Sequence, residues 1–158
     1  MSAKPSDDPP AKVRVQADPF DAGAEAHALA AGRCDIGAVV TFTGLCRDEG
    51  GRLEALELEH YPGMAEEEIG RVADQARQRW PLLGLTIIHR YGLIRPGESI
   101  VLVVAASSHR RAAFEAAEFL MDYLKTRAPF WKKEHLKERG AGGWVAATVA
   151  DDTAAERW

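Results

Sequence analysis

Two lysines, Lys125 and Lys132, bracket the run Pro129-Phe130-Trp131. An ammonium held against aromatic, desolvating neighbours loses hydration. Its pKa falls, and it can then act as an acid, a base or a nucleophile. The same pattern has an ordinary reading, with Lys125 in a last helical turn where a cation offsets the helix dipole and Lys132 in water. A second cationic group, His109-Arg110-Arg111, precedes them in the chain at the start of the same stretch. Positive charge at a helix start costs about 0.3–1 kcal/mol per group. Free N–H groups beside two guanidiniums, however, make a seat for a phosphate or a carboxylate. The alternative is that these arginines point into water and are screened.

The element that must position both groups runs from Ser107 to Glu134 and reads as a long amphipathic helix, a proline break and a short aromatic-basic segment. Phe114, Ala117, Leu120, Met121 and Leu124 recur at helical spacing and form one apolar face. Ser107 or Ser108 is placed to cap the start, and Ala128-Pro129 ends the helix, because a residue before proline is pushed out of the α region. Arg110 and Lys125 then stand about 22 Å apart along the axis. One small ligand cannot bridge that distance within a chain. If both ends serve one site, two copies must assemble it, and a symmetric homodimer is expected.

The remaining chain supplies the scaffold. Its 158 residues fit one domain with a sizeable core. A formal net charge of −4 argues against a general nucleic-acid binder, so any basic site is local. Cys34 and Cys46 fit neither a disulfide framework nor a CxxC site, and the five histidines lack metal-ligand spacing. No run is long enough to span a membrane and no apolar leader opens the chain, so a cytoplasmic location is expected. Residues 1–12 are proline-rich and polar and read as a disordered tail, and 13–158 read as a single domain.

Along that domain, Val13–Ala17 reads as a short strand and Asp21–Ala31 as a helix capped by Asp21. Asp35–Thr43 reads as a mostly buried strand, leading through a glycine-rich loop that carries Arg47 into a strand over Leu53–His60. The short loop suggests that these two strands pair antiparallel. Ala65–Trp80 reads as a helix whose Glu66-Glu67-Glu68 run is a solvated face, and Leu85–Tyr91 as a strand in which His89 is packed and hydrogen-bonded. Arg95-Pro96-Gly97-Glu98 is a turn in type II order, and Ser99–Ala106 is an apolar, central strand. Trp144–Val149 is a last strand, and the charged tail 151–158 ends in a tryptophan suited to dock on a neighbour. Hairpins mixed with helices define an α+β class.

These motifs resemble those of the large, catalytic subunit family of molybdopterin synthase. The resemblance covers Asp35 to Trp158. It rests on VTFTG followed by Arg47, LEHYPGM at 58–64, RWPL at 79–82, IHR-x-G at 88–92, SHR at 108–110 and, most specifically, FLMDYLKTRAPFWKKE at 119–134. The resemblance implies an α/β-hammerhead-like fold with an added antiparallel sheet. It implies transfer of two sulfurs to cyclic pyranopterin monophosphate to form the molybdopterin dithiolene. The sulfur donor is the C-terminal Gly-Gly thiocarboxylate of a small ubiquitin-like partner, in a heterotetramer built on a dimer of large subunits. It carries catalytic roles to Lys125 and Lys132, and substrate binding to Leu45, Cys46, Arg47, His109, Arg110, Lys125, Lys132, Lys133 and Glu134, with no metal and no cofactor. Cys46 beside Arg47 departs from the family's usual loop.

The residues agree with that implication, since substrate and donor are both anions and sulfur arriving on a partner needs no nucleophilic cysteine here. Two other classes remain in view: a non-enzymatic module that binds an anionic metabolite or a partner's tail, and a Schiff-base lyase using Lys125.

Overall fold

The computed structural model describes residues 11–137, 140–145 and 154–158. Residues 1–10 of the expected tail, 146–149 of the expected last strand and 151–153 of the charged tail lie outside the described residues. The chain folds as β1 (Lys12–Gln16), α1 (Ala22–Ala30), β2 (Ala38–Leu45), β3 (Leu53–His60), α2 (Met64–Arg79), β4 (Leu82–Arg90), β5 (Gly92–Ile94), β6 (Ser99–Ser107), α3 (Arg110–Thr126), β7 (Phe130–Leu136) and β8 (Gly140–Val145). Among the described residues, the strands form two four-stranded sheets, β1-β4-β6-β2 and β5-β3-β7-β8. There β1 and β4 pair in parallel and the other pairs are antiparallel. This is the expected α+β architecture.

Strand alternation divides the first sheet between two helical layers. Leu85, Ile87, Val101, Val103 and Ala105 pack with α2 and α3, burying Ile69, Val72, Ala116 and Leu120. Ile88, Leu102 and Val104 turn to the opposite face, against Phe20, Ala22, Ala26 and Leu29 at the start and along the length of α1. The second sheet has its own small core of Cys46, Leu53, Leu58 and Ile94.

Local chemistry fixes the element ends. The Asp21 carboxylate accepts from the Ala24 N–H at 3.0 Å and caps α1. Glu66 reaches back to accept from the Gly63 N–H at 2.8 Å, so the first of the glutamates read as a solvated face is a capping residue of α2. Gly97, at φ +89°, occupies the turn position that requires a left-handed residue, and the Glu98 N–H closes that turn on the Arg95 carbonyl.

Several expectations are corrected. β2 and β3 do not pair: β2 runs beside β6 in the first sheet, and β3 lies between β5 and β7 in the second. β2 is also not mostly buried. It is the edge of its sheet, and Val39, Phe42 and Leu45 are exposed along it. Phe114 is exposed too, because α3 buries the adjoining stripe of Ala113, Ala116, Ala117, Leu120 and Leu124. Neither serine caps α3. The cap position is His109, and the Ser107 hydroxyl donates instead to the Pro81 carbonyl at 2.8 Å. The aromatic-basic segment is itself a strand, β7, and Gly92–Ile94 adds a short one. Trp158 docks on its own chain, edge-on to Trp80 and Phe119, with its indole N–H donated to Asp122.

Candidate active site at the junction of the two sheets

β7 is where the lysine question is decided. Its backbone pairs Phe130 with His60, Lys132 with Leu58 and Glu134 with Leu56, while Trp131 and Lys133 stand opposite Glu59 and Glu57. Directly opposed residues share a face, so Phe130, Lys132 and Glu134 point the same way as the buried Leu58. Lys133 points the other way with Trp131, into a patch where Trp131 meets Tyr61 edge-on at 5.1 Å. The KKE run therefore splits, with Lys132 and Glu134 on the inner face and Lys133 on the outer.

The inner face of β7 meets the end of the first sheet, and a pocket of about 40 Å³ opens there. Lys125 enters it from the last turn of α3 and Lys132 from β7, while Leu45, Ile100, Met121 and Leu124 form apolar walls. The two lysines come from a helix over the first sheet and a strand of the second, and are brought together by tertiary packing. Gly44 also lines the wall, where a Cβ would approach Val101 to 2.7 Å.

His89 also lines the pocket. It lies opposite Val101 in the β4–β6 ladder and is only 5% exposed. Its ring stacks on Phe130, with centroids 3.8 Å apart and planes within 13°, and Nδ1 lies 2.9 Å from the Arg90 carbonyl. Burial pushes its pKa down to about 4; Lys132, Lys125 and His60 add smaller repulsions, while the bond to the Arg90 backbone opposes the shift. The imidazole is therefore neutral at ordinary pH. The expectation of a packed, hydrogen-bonded histidine holds, but the pocket position was not apparent. The IHR motif was the available signal, yet the residues that surround His89 come from distant parts of the chain. Arg90, by contrast, serves the fold: it faces away and donates to the carbonyls of Ala17 and Ser99 and to Glu98.

The glycine-rich loop after β2 splits similarly. Leu45 faces the pocket and Arg47 is exposed, but Cys46 is buried at 4% exposure. The Cys46 N–H donates to Glu98, its carbonyl accepts from Gly97, and its thiol is directed at the Ile94 carbonyl at 3.9 Å. Burial first, then Glu98 and Asp48, pushes that thiol above its usual range. Cys46 is thus the anchor that holds the loop to the 95–98 turn.

His109 and Arg110 are exposed at the start of α3, and Arg111 pairs with Glu115 at 2.9 Å. α3 is continuous from Arg110 to Thr126, so Arg110 stands about 22 Å from Lys125 along the axis. Within one chain the structure brings Leu45, Lys125 and Lys132 to one pocket and leaves His109 and Arg110 at the far end of the helix. Among the described residues, no group of His, Cys, Asp and Glu is placed to hold a metal, and no helix is long and apolar enough to cross a membrane.

The α+β architecture brings two lysines to one apolar-walled pocket at the junction of its sheets. The chain belongs to the MoaE protein family, whose sequence pattern matches residues 15–127. It is 69% identical over 146 residues to the molybdopterin synthase catalytic subunit of Mesorhizobium japonicum, covering 92% of each chain. The molybdopterin biosynthesis MoaE protein from Burkholderia ambifaria superposes with a TM-score of 0.79 at 47% identity, over 94% of this chain and 97% of that one. The crystal structure of molybdopterin synthase from Staphylococcus aureus does so with a TM-score of 0.75 at 31% identity, over 84% and 95%.

Proposed function

We propose that this chain is the catalytic subunit of a molybdopterin synthase and acts as a sulfurtransferase. In this reading it moves two sulfurs from the C-terminal thiocarboxylate of a small ubiquitin-like partner to cyclic pyranopterin monophosphate, forming the dithiolene. The observation that carries the reading is the convergence of Lys125 from α3 and Lys132 from β7 on one apolar-walled pocket, in a chain so similar to named catalytic subunits.

Donor and acceptor are both anions and repel one another. Two ammonium groups in a partly dehydrated pocket offset that repulsion as the reacting atoms approach. The lysines divide two tasks between them: holding the thiocarboxylate sulfur against the pterin, and moving protons as the sulfur adds and the cyclic phosphate opens. Leu45 and the apolar wall exclude water. Glu134, on the Lys132 face, orients the inner end of the site, and Arg47 and Lys133 hold the substrate's periphery. Cys46 contributes by fixing the loop. His109 and Arg110 bind the phosphate of a substrate held mainly by the other copy, so the working form is a homodimer of this chain within a heterotetramer.

The decisive experiment mixes the purified chain with a thiocarboxylated partner and cyclic pyranopterin monophosphate and follows dithiolene formation. Lys125→Ala is expected to stay folded and lose at least about 100-fold in turnover. A module that only binds would show no product with the unmodified chain, and its Lys125→Ala variant would lose affinity alone. A Schiff-base lyase would be trapped by borohydride with a small carbonyl substrate and no partner.

A further inference from the structure

We infer that Glu98, held by the buried Arg90, is a positioning residue for the 45–47 loop: the pair sets where Leu45 and Arg47 stand, acting through the backbone of residues 97–99. The part of this inference that concerns turnover rests on the synthase reading above; the clamp itself does not.

Arg90 closes β4, and its side chain is only 5% exposed. A guanidinium keeps its charge, so the N–H groups it buries need acceptors. Nε and Nη2 both donate to the Ala17 carbonyl, at 3.1 and 2.9 Å. That fork fixes the plane of the group and leaves Nη1 directed to the other side. Nη1 donates to the Ser99 carbonyl at 3.0 Å and to the Glu98 carboxylate at 3.2 Å. One nitrogen thus grips two consecutive residues.

Those two residues are the ones to which the loop is bound. The β2–β6 register slips between Gly44 and Leu45, so that Ile100 is passed over and Leu45 stands opposite Ser99. A slip of this kind re-aims side chains at the end of a strand, and Leu45 and Ile100 both line the lysine pocket. One residue further on, the Cys46 N–H donates to the Glu98 carbonyl at 2.8 Å, and the Cys46 carbonyl accepts from the Gly97 N–H at 2.7 Å. The second oxygen of the Glu98 carboxylate accepts from the Arg95 N–H at 3.2 Å, so the same side chain also braces the 95–98 turn. The slip interrupts the regular ladder where the loop begins, and the two bonds to Cys46 take over from it. Neither Arg90 nor Glu98 lines the pocket. Their influence reaches it through Leu45, and Arg47 follows directly after the clamped residue.

The chain carries its own reporter of this clamp. Cys46 is 4% exposed within it, whereas Cys34, in the loop after α1, is exposed. The full chain is treated with iodoacetamide, and both cysteines are followed by peptide mass spectrometry in the unmodified chain, Glu98→Ala, Glu98→Gln and Leu29→Ala. Leu29→Ala thins the packing of α1 on the far face of the first sheet and is the control for lost stability. Glu98→Ala is expected to speed Cys46 alkylation about tenfold with Cys34 unchanged. Glu98→Gln, which keeps one acceptor oxygen, is expected to speed it less, and Leu29→Ala to leave it near the unmodified rate. In the synthase mixture Glu98→Ala is expected to raise KM for the precursor about tenfold with kcat within about twofold of the unmodified chain. An unmoved Cys46 rate in Glu98→Ala overturns the inference. So does an equal acceleration in Leu29→Ala, since the clamp would then be no more than a share of global stability. A fall in kcat with KM unchanged overturns the link to the loop. Should Glu98→Ala fail to fold, Glu98→Gln carries the same readouts. If the unmodified chain makes no dithiolene, the synthase reading fails, while the alkylation rates still decide whether Glu98 holds the loop.

Discussion

The two ends of α3 carry the same sign of charge on exposed side chains, but beside different neighbours. At the last turn, Lys125 meets a pocket walled by Leu45, Ile100, Met121 and Leu124, with Lys132 and His89 across it. At the first turn, His109, Arg110 and Arg111 stand exposed, and the pairing seen there is the salt bridge of Arg111 to Glu115. An exposed charge is screened within about 10 Å at moderate salt, so either end acts strongly on an anion only where water is excluded. The apolar walls beside Lys125 supply part of that exclusion within the chain. The first turn gains comparable force only when something else excludes water from it.

That contrast breaks most visibly by mixing variants. Lys125→Ala and Arg110→Ala dimers, each prepared alone, are expected to be nearly inactive. After subunit exchange, the mixture should recover about one quarter of the unmodified rate, because half the dimers are hybrids and each hybrid keeps one intact composite site. Recovery no greater than the sum of the two separate preparations would show that each chain serves its own helix ends.

The buried side of the comparison is sharpened by acid. The folded-state pKa of His89 is depressed to about 4 from 6.5, so the unfolded chain binds more protons between those values and stability falls as pH drops from about 6.5 to about 4. Comparing unfolding of the unmodified chain with His89→Gln across that window should show His89 costing the former on the order of 3 kcal/mol at its acid end. Parallel pH dependences would mean that the ring is not buried neutral.

The exposed end depends on one close backbone approach. A Cβ added at Gly37 would fall 2.1 Å from the Ser108 carbonyl oxygen, just before α3 begins. Gly37→Ala is therefore expected to destabilise the fold by about 1–3 kcal/mol and to displace the helix start. Chemical denaturation measures the first, and a weaker KM with kcat retained reports the second. The smallest effect belongs to Arg111→Ala, which removes an exposed i,i+4 pair and should leave the melting temperature almost unchanged. A larger loss by thermal melting would show that Arg111 does more than pair with Glu115.

Periodicity and punctuation made much of this legible. The apolar spacing of α2 and, Phe114 apart, of α3, the Asp21 cap, the type II turn and the proline after α3 are local signals, and each falls where the structure has it. Lys125 and Lys132 stood out for the same reason, as cations beside a proline and aromatics. What escaped was set by distant pairing. FWKKEHL has no strand alternation of apolar and polar residues, and β7 becomes a strand because β3 and β8 take both its edges. β2 and β3 look like a hairpin, yet each finds its partners in a different sheet. Ser107 has the chemistry of a cap, but the Pro81 carbonyl, 26 residues earlier, claims its hydroxyl. Cys46 sits among candidate ligand residues in sequence and only the fold turns it inward.

One consequence concerns how the pocket is spanned. Lys125 rides on the helix packed over the first sheet, and Lys132 is built into the second; the two sheets share no strand. The joint between them includes the face-to-face contact of His89 with Phe130. The gap between the amines is therefore a mechanical quantity, set by the angle at which two separately hydrogen-bonded plates lean together. A change in that lean would move the two amines relative to one another while leaving the pairing of every strand in either sheet intact.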